Sequence, residues 1–129
     1  MNTTREIRLL VIEDSEVSRI LIESLFDEYP TISVVSVENG TDAFDFLSND
    51  KPDIILLDLM LPGLNGFEIL EKLKSNSQTK DIPVIMVSAK GQEQDIHYAM
   101  ELGASDYVVK PIGVNRLFER VMRQVESRT

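Results

Sequence analysis

Short apolar runs alternate along the chain with segments in which apolar residues recur every three or four positions. The runs cover residues 7–12, 32–37, 54–57, 82–87 and 107–109. Runs of this length predict β-strands, and the intervening spacing predicts amphipathic helices. Because strands alternate with helices, we expect parallel strands joined by right-handed crossovers. The pattern therefore predicts a three-layer, doubly wound α/β fold with a sheet of about five strands.

Capping residues and apolar stripes define the predicted helices. Ser15 is a predicted N-cap, Asn65 can cap the third helix, and Gly103 ends the fourth. The first helix has its apolar spacing at Val17, Ile20, Leu21, Ser24 and Leu25, and Tyr29-Pro30 is expected to end it. The last helix has the most continuous stripe, formed by Val114, Leu117, Phe118, Val121, Met122 and Val125. We also predict core positions for Met86, Met100 and Met122 and a surface position for His97.

Composition limits the function classes. The 129 residues fit one domain, with a predicted core over residues 6–123 and a tail or the start of a linker at 124–129. A net charge of -9 argues against direct binding to nucleic acid or to an anionic membrane surface. The absence of cysteine excludes disulfides and thiolate sites. We find no apolar run of membrane-spanning length and no signal-peptide pattern, and we expect a cytoplasmic location.

Polar residues follow four of the five predicted strands. Glu13 and Asp14 follow the first strand, Asp58 the third, Ser88 the fourth and Lys110 the fifth. Ligands of doubly wound sheets bind at the carboxyl ends of the strands, where these side chains would meet. Any one of them alone is better explained as a cap or a surface residue, so the prediction rests on their joint occurrence at one edge.

Three carboxylates at one edge need a compensating charge. Two unit charges about 4 Å apart repel by roughly 4 kcal/mol at an effective dielectric of 20. A hard, oxygen-liganded cation such as Mg²⁺ (or Mn²⁺) would relieve this repulsion, and Lys110 would add a fixed positive charge. Phosphoryl transfer depends on such neutralisation, and an aspartate can accept the phosphoryl group as an acyl phosphate. Asp58, on the central strand, is the best-placed acceptor.

The segments VIEDS, IILLDLMLPGLNG, VIMVSAK and GASDYVVKPI together resemble the receiver domain of bacterial two-component response regulators. The resemblance spans residues 7–122 and implies a flavodoxin-like (βα)5 fold with strand order 2-1-3-4-5. It also implies a signalling switch in a phosphorelay, phosphorylated by a histidine kinase or histidine phosphotransfer protein. Such a domain catalyses only its own phosphorylation and dephosphorylation and is not otherwise an enzyme. An effector domain or downstream protein would carry the output.

The resemblance also implies a metal site. Asp58 would be the phosphoacceptor, and Asp14, Asp58 and the backbone carbonyl of Met60 would bind Mg²⁺ or Mn²⁺. Glu13 would act through a metal-bound water. The family more often has aspartate at this position, so we expect altered metal affinity rather than lost function.

The remaining implied roles concern the response to phosphorylation. Lys110 would pair first with the acceptor carboxylate and then with the phosphoryl oxygens, and Ser88 would donate a hydrogen bond to them. Tyr107 would change rotamer as Ser88 moves. The Lys110-Pro111 bond is a candidate cis peptide.

Three other functions remain open at this point. An aspartate-nucleophile phosphatase would need a second acid two residues after Asp58, where this chain has Met60. A flavin- or nucleotide-binding module would need a Gly-, Ser- or Thr-rich phosphate loop, where this chain has Glu13 and Asp14. A degenerate receiver would dock partners without being phosphorylated.

Homodimerisation is a further expectation, with a solvated face as an equally good explanation. The face comprises the fourth helix, fifth strand and fifth helix. It has acids on the first two elements and arginines on the last: Glu93, Asp95, Glu101, Asp106, Arg116, Arg120 and Arg123. Across a two-fold axis these charges could pair reciprocally.

Overall fold

The computed structural model describes residues 6–111 and 113–126. Strands and helices alternate along the chain, as the sequence predicts. The elements are β1 (Ile7–Ile12), α1 (Glu16–Phe26), β2 (Ile32–Val37), α2 (Gly40–Asn49), β3 (Ile54–Leu57), α3 (Gly66–Ser75), β4 (Val84–Ser88), α4 (Glu93–Leu102), β5 (Asp106–Val109) and α5 (Val114–Glu126). None of the helices in the described ranges has the length and hydropathy of a membrane-spanning segment.

The five strands form one parallel sheet in the order β2-β1-β3-β4-β5, which confirms the expected fold. β3 lies at the centre, and all four of its residues are buried, as expected for a strand covered on both faces. Ile12 is paired with Leu57, and Leu57 with Met86, so β1, β3 and β4 are in register near their carboxyl ends. The polar residues that follow β1 and β3 therefore emerge side by side.

The core consists of two layers, one on each face of the sheet. Alternate strand residues such as Ile55 and Leu57 pack with α3 and α4 on one face. Their neighbours Ile54 and Leu56 pack with α1 and α5 on the other face. This alternation gives the predicted three-layer arrangement, because successive side chains of a strand point to opposite faces.

The structure corrects one predicted core position, that of Met100, and shows which face of α1 is buried. Val17, Ile20 and Leu21 of α1 are 69%, 52% and 64% exposed, and the buried residues of this helix are Ile22 and Phe26. The helix carries apolar residues on two opposite faces, so spacing alone did not decide which face meets the sheet. Met100 is 44% exposed, whereas Met86 is buried.

The helix ends follow from local chemistry. The Ser15 side chain accepts a hydrogen bond from the Ser18 amide, and Asn65 forms a capping box with Glu68. Gly103 ends α4 with a φ of 110°, a conformation that favours glycine. α1 ends at Phe26, three residues before Tyr29.

α5 extends past the predicted core boundary. The helix continues to Glu126, and Val125 is 5% exposed within the core layer shared with α1. The side chain of Val114 and residues 127–129 lie outside the described part of the chain.

Candidate functional site

Three carboxylates meet at the carboxyl edge of the sheet. Glu13, Asp14 and Asp58 each offer a carboxylate oxygen, and these oxygens all lie within 4.8 Å of one another. Glu13 and Asp58 are 2% and 6% exposed, whereas Asp14 is exposed to solvent. The fold therefore brings together the acids that the sequence placed after β1 and β3.

Backbone hydrogen bonds extend the strand pairing into this site. The Asp58 amide donates to the Ile12 carbonyl, and the Glu13 amide donates to the Val37 carbonyl, each at 3.0 Å. The peptide units that carry Glu13 and Asp58 are thus fixed to neighbouring strands. Side chains mounted on fixed backbone lose little further freedom when they bind a ligand.

Gly66 lets α3 approach Asp58 closely. Its amide donates to the Leu59 carbonyl at 2.8 Å. A Cβ atom at Gly66 would lie 2.4 Å from the Asp58 carbonyl oxygen and 2.6 Å from Leu59 Cα. Only glycine fits this contact, so α3 helps to fix the position of Asp58.

Lys110 connects β5 to the acidic cluster. Its Nζ donates to Glu13 Oε1 at 2.5 Å, to Asp58 Oδ2 at 3.2 Å and to Ser18 Oγ at 3.3 Å. The lysine side chain is 20% exposed. One ammonium group therefore neutralises part of the charge on two buried carboxylates, and the peptide bond to Pro111 is cis, as predicted.

The site changes the proton affinities of these groups in a consistent way. Burial, followed by the proximity of Asp58, raises the pKa of Glu13 to about 7, although Lys110 and the Ser15 amide oppose the shift. Burial alone would lower the pKa of Lys110, but its contacts with Glu13 and Asp58 outweigh burial and raise it. Lys110 is therefore a persistent cation. Its single positive charge does not offset the burial and mutual repulsion of the carboxylates, because the pKa of Glu13 is still raised.

The donor atoms suit a hard divalent cation. All three cluster residues offer carboxylate oxygens, and the exposed Asp14 leaves one side of the cluster open to water. Mg²⁺ and Mn²⁺ bind to oxygen ligands of this kind and retain several waters. Burial and the proximity of Asp58 raise the pKa of Glu13, and a bound divalent cation would oppose this shift because it favours ionised carboxylates.

Ser88 and Tyr107 lie together beside this site. Ser88 is fully buried, and its Oγ accepts a hydrogen bond from the Lys90 amide at 3.1 Å. Tyr107 is 8% exposed, and its hydroxyl donates to the Lys90 carbonyl. Ser88 thus binds the amide of Lys90 and Tyr107 binds its carbonyl, so both side chains contact the same residue in the loop between β4 and α4.

Comparisons with known proteins agree with this geometry. Residues 9–122 match the family described as the response regulator receiver domain. The chain belongs to this family. It is 33% identical over 114 residues to the protein PilH of Pseudomonas aeruginosa, with 88% of this chain and 93% of PilH covered. It is 38% identical over 121 residues to the phosphate regulon transcriptional regulatory protein PhoB of Escherichia coli, with 92% of this chain covered but only 52% of PhoB.

Solved structures of receiver domains resemble this one. The phosphorylated cyanobacterial phytochrome response regulator RcpA is 31% identical, with a TM-score of 0.77 and coverage of 90% of this chain and 89% of that chain. The Mn²⁺-bound form of the response regulator Rcp1 is 28% identical, with a TM-score of 0.77 and coverage of 91% and 90%.

Two residues of this receiver domain site were missed by sequence reasoning. Ser18 contacts Lys110, and Arg19 donates from Nη1 to the carbonyls of Glu13 and Asp14 at 2.9 and 3.0 Å. Arg19 precedes Ile22 by three residues and Phe26 by seven, so a cation lies on the buried face of α1. A charged residue on the core stripe, five residues after Asp14, was the available signal.

Proposed function

We propose that this receiver domain is a phosphoacceptor switch in which Asp58 becomes phosphorylated. The observation that carries the proposal is the contact of Lys110 Nζ with both Asp58 and Glu13 at the end of the central strand. This arrangement supplies a nearly buried nucleophile, a persistent cation and further carboxylates within 4.8 Å. Outside its own phosphorylation and dephosphorylation, we expect no enzymatic activity, and we expect the domain to work in the cytoplasm.

Mg²⁺ or Mn²⁺ would be held by Asp14, Asp58 and the Met60 carbonyl, with Glu13 acting through a metal-bound water. The bound metal would neutralise charge on the transferring phosphoryl group. The Mn²⁺-bound form of the related Rcp1 supports the binding of a divalent cation. The oxygen-only donor set of the acidic cluster supports it as well.

The residues of this chain would divide the remaining work. An oxygen of Asp58 attacks phosphorus, the bond from phosphorus to the donor breaks, and an acyl phosphate forms. Lys110 is already 3.2 Å from Asp58 Oδ2 and would follow the new negative charge. Ser88 would donate a hydrogen bond from its hydroxyl to a phosphoryl oxygen, and its Oγ can still accept from the Lys90 amide, so the β4–α4 loop would follow Ser88 as it moves.

Movement of that loop would connect phosphorylation to the surface. Tyr107 is bonded to the same residue through the Lys90 carbonyl, so movement of the β4–α4 loop would free its hydroxyl to change rotamer. A change from 1:99 to 99:1 between two states needs about 5.5 kcal/mol of differential interaction. New charge-assisted hydrogen bonds from Ser88 and Lys110, worth roughly 1.5–3 kcal/mol each, would supply most of it.

The phosphoryl donor protein, a histidine kinase or histidine phosphotransfer protein, would dock on the exposed apolar face of α1. Val17, Ile20 and Leu21 lie on this face, and beside it a groove of about 510 Å³ includes Leu21, Lys110 and Pro111 in its lining. The groove thus extends to the lysine that contacts the acceptor, which is where a donor must arrive. An apolar surface of this kind is also what a specific protein interface needs at its centre.

Leu21→Arg tests this docking surface. We expect normal phosphorylation by acetyl phosphate but strongly reduced phosphorylation by a histidine kinase that phosphorylates the wild type. Met100→Arg is the matched control, because Met100 is an exposed apolar residue on α4. Equal kinase rates for Leu21→Arg and the wild type would contradict the docking proposal and leave the acceptor assignment intact.

The acceptor itself is tested by intact-mass spectrometry after incubation with Mg²⁺ and acetyl phosphate. We expect one phosphoryl group on the wild type and on Asp45→Asn, a matched variant of an exposed aspartate on α2, and none on Asp58→Asn. A chelator should prevent the addition. Failure of the wild type to react under any condition would contradict the proposal and favour a degenerate, docking-only receiver.

Dimerisation through the α4–β5–α5 face remains a proposal. Arg120 Nη1 lies 2.6 Å from Asp106 Oδ1 within the same chain. In a dimer, each of these two side chains would have to share its present ion pair with the partner subunit or exchange it for a new one. Sedimentation velocity with and without beryllofluoride, a phosphoryl mimic, would decide. An unchanged mass would contradict the dimer. The output partner, whether an effector domain or a separate protein, would bind to the same α4–β5–α5 face.

A further inference from the structure

Arg19 occupies an unusual position for a charged residue near a predicted cation site. Its side chain is only 16% exposed, and Nη2 pairs with Glu38 Oε1 at 3.1 Å just after β2. Nη1 donates to two successive backbone carbonyls, those of Glu13 and Asp14. The guanidinium therefore joins the loop after β1 to the residue that follows β2.

The two carbonyls belong to the peptide planes on either side of the Asp14 Cα atom. The Glu13 carbonyl lies in the plane before it, and the Asp14 carbonyl lies in the plane after it. Since peptide units are planar, holding both planes fixes φ and ψ of Asp14 and therefore the direction of its Cα–Cβ bond. The Asp14 side chain is exposed, and this backbone restraint sets the direction in which it leaves the loop.

We propose that Arg19 is a positioning residue that aims the Asp14 carboxylate at the divalent cation. The inference rests on the proposed metal-binding function and adds to it a residue that touches neither the metal nor the phosphoryl group. Outer contacts of this kind change metal affinity by about 10- to 100-fold in other metal sites. Arginine suits the task, because its planar fork directs several N–H donors at fixed angles.

The direction in which Arg19→Ala changes the Mn²⁺ affinity distinguishes a positioning role from a purely electrostatic one. A positive charge near a bound cation repels it, so charge alone predicts that Arg19→Ala binds Mn²⁺ more tightly. Positioning predicts weaker binding, because the loop that carries Asp14 is no longer held. The two explanations therefore predict opposite changes in the dissociation constant.

The experiment is a Mn²⁺ titration of the full chain without any phosphoryl donor, in which electron paramagnetic resonance measures free Mn²⁺. We expect Arg19→Ala to weaken binding by about 10-fold or more. Arg19→Lys should recover part of the affinity, since an ammonium group can still donate to the carbonyls. Glu38→Gln is the matched control and should change the affinity by less than about fivefold, because Glu38 is an exposed ion-pair partner.

Thermal unfolding followed by circular dichroism in chelator is used to check that each variant is folded at the titration temperature. A variant that is unfolded at that temperature is titrated at a lower temperature. Unchanged or tighter binding by folded Arg19→Ala would overturn this inference alone. Absence of Mn²⁺ binding by the wild type would overturn the metal proposal, and this inference with it. Weaker binding by Arg19→Ala, with partial recovery in Arg19→Lys, supports it.

Discussion

Glu13 is a carboxylic acid that folding removes from water and places beside Asp58. It is 2% exposed, and its pKa rises from 4.5 to about 7. The folded protein therefore binds a proton at Glu13 more tightly than the unfolded chain does. The stabilisation that this proton provides is complete below about pH 4.5. It is lost progressively as the pH rises through the folded-state pKa of about 7.

The magnitude follows from the size of the shift. Each pKa unit corresponds to about 1.36 kcal/mol, so the change from 4.5 to about 7 corresponds to roughly 3 kcal/mol. For a chain of 129 residues this equals a decrease in Tm of roughly 10 °C between pH 5 and pH 8. Mg²⁺ should remove most of this dependence, because a bound cation favours the ionised carboxylates.

Glu13→Gln provides the control. Glutamine keeps an acceptor for Lys110 but does not titrate, so we expect its unfolding free energy to depend much less on pH. The assay is urea unfolding followed by circular dichroism at pH 5, 6, 7 and 8 in chelator, for the wild type and the variant. Parallel pH profiles for the two proteins would refute the reasoning, since the titrating group would then lie elsewhere.

Three further predictions concern neighbouring residues. Lys110→Met should slow phosphorylation by acetyl phosphate about 100-fold, measured by intact mass, because the group that neutralises the acceptor is lost; an unchanged rate would contradict its role. Tyr107→Phe removes the hydrogen bond to the Lys90 carbonyl, so we expect its unfolding free energy to fall by about 1 kcal/mol. The variant should still accept a phosphoryl group, and loss of phosphorylation would show that Tyr107 acts in the chemistry. Gly66→Ala should cost at least about 2 kcal/mol in urea unfolding and reduce phosphorylation, because its Cβ would lie 2.4 Å from the Asp58 carbonyl; wild-type stability would show that α3 shifts freely.

The order of the elements and the sheet edge that carries the chemistry both follow from the amino-acid sequence alone. Strand-length apolar runs, each followed by a helical pattern, required parallel pairing, and Glu13, Asp14, Asp58 and Lys110 all follow such runs. Periodicity reports local geometry, and local geometry is enough to decide which residues leave a parallel sheet at its carboxyl edge.

The buried face of α1 and the surroundings of the acids depend instead on packing between distant segments. Apolar residues occupy both faces of that helix, and packing against β-strand residues selected Ile22 and Phe26 over Val17 and Leu21. The contact from Arg19 to the carbonyls of the acidic loop was equally hidden. Such contacts depend on distances between segments, and spacing within one segment carries no information about them.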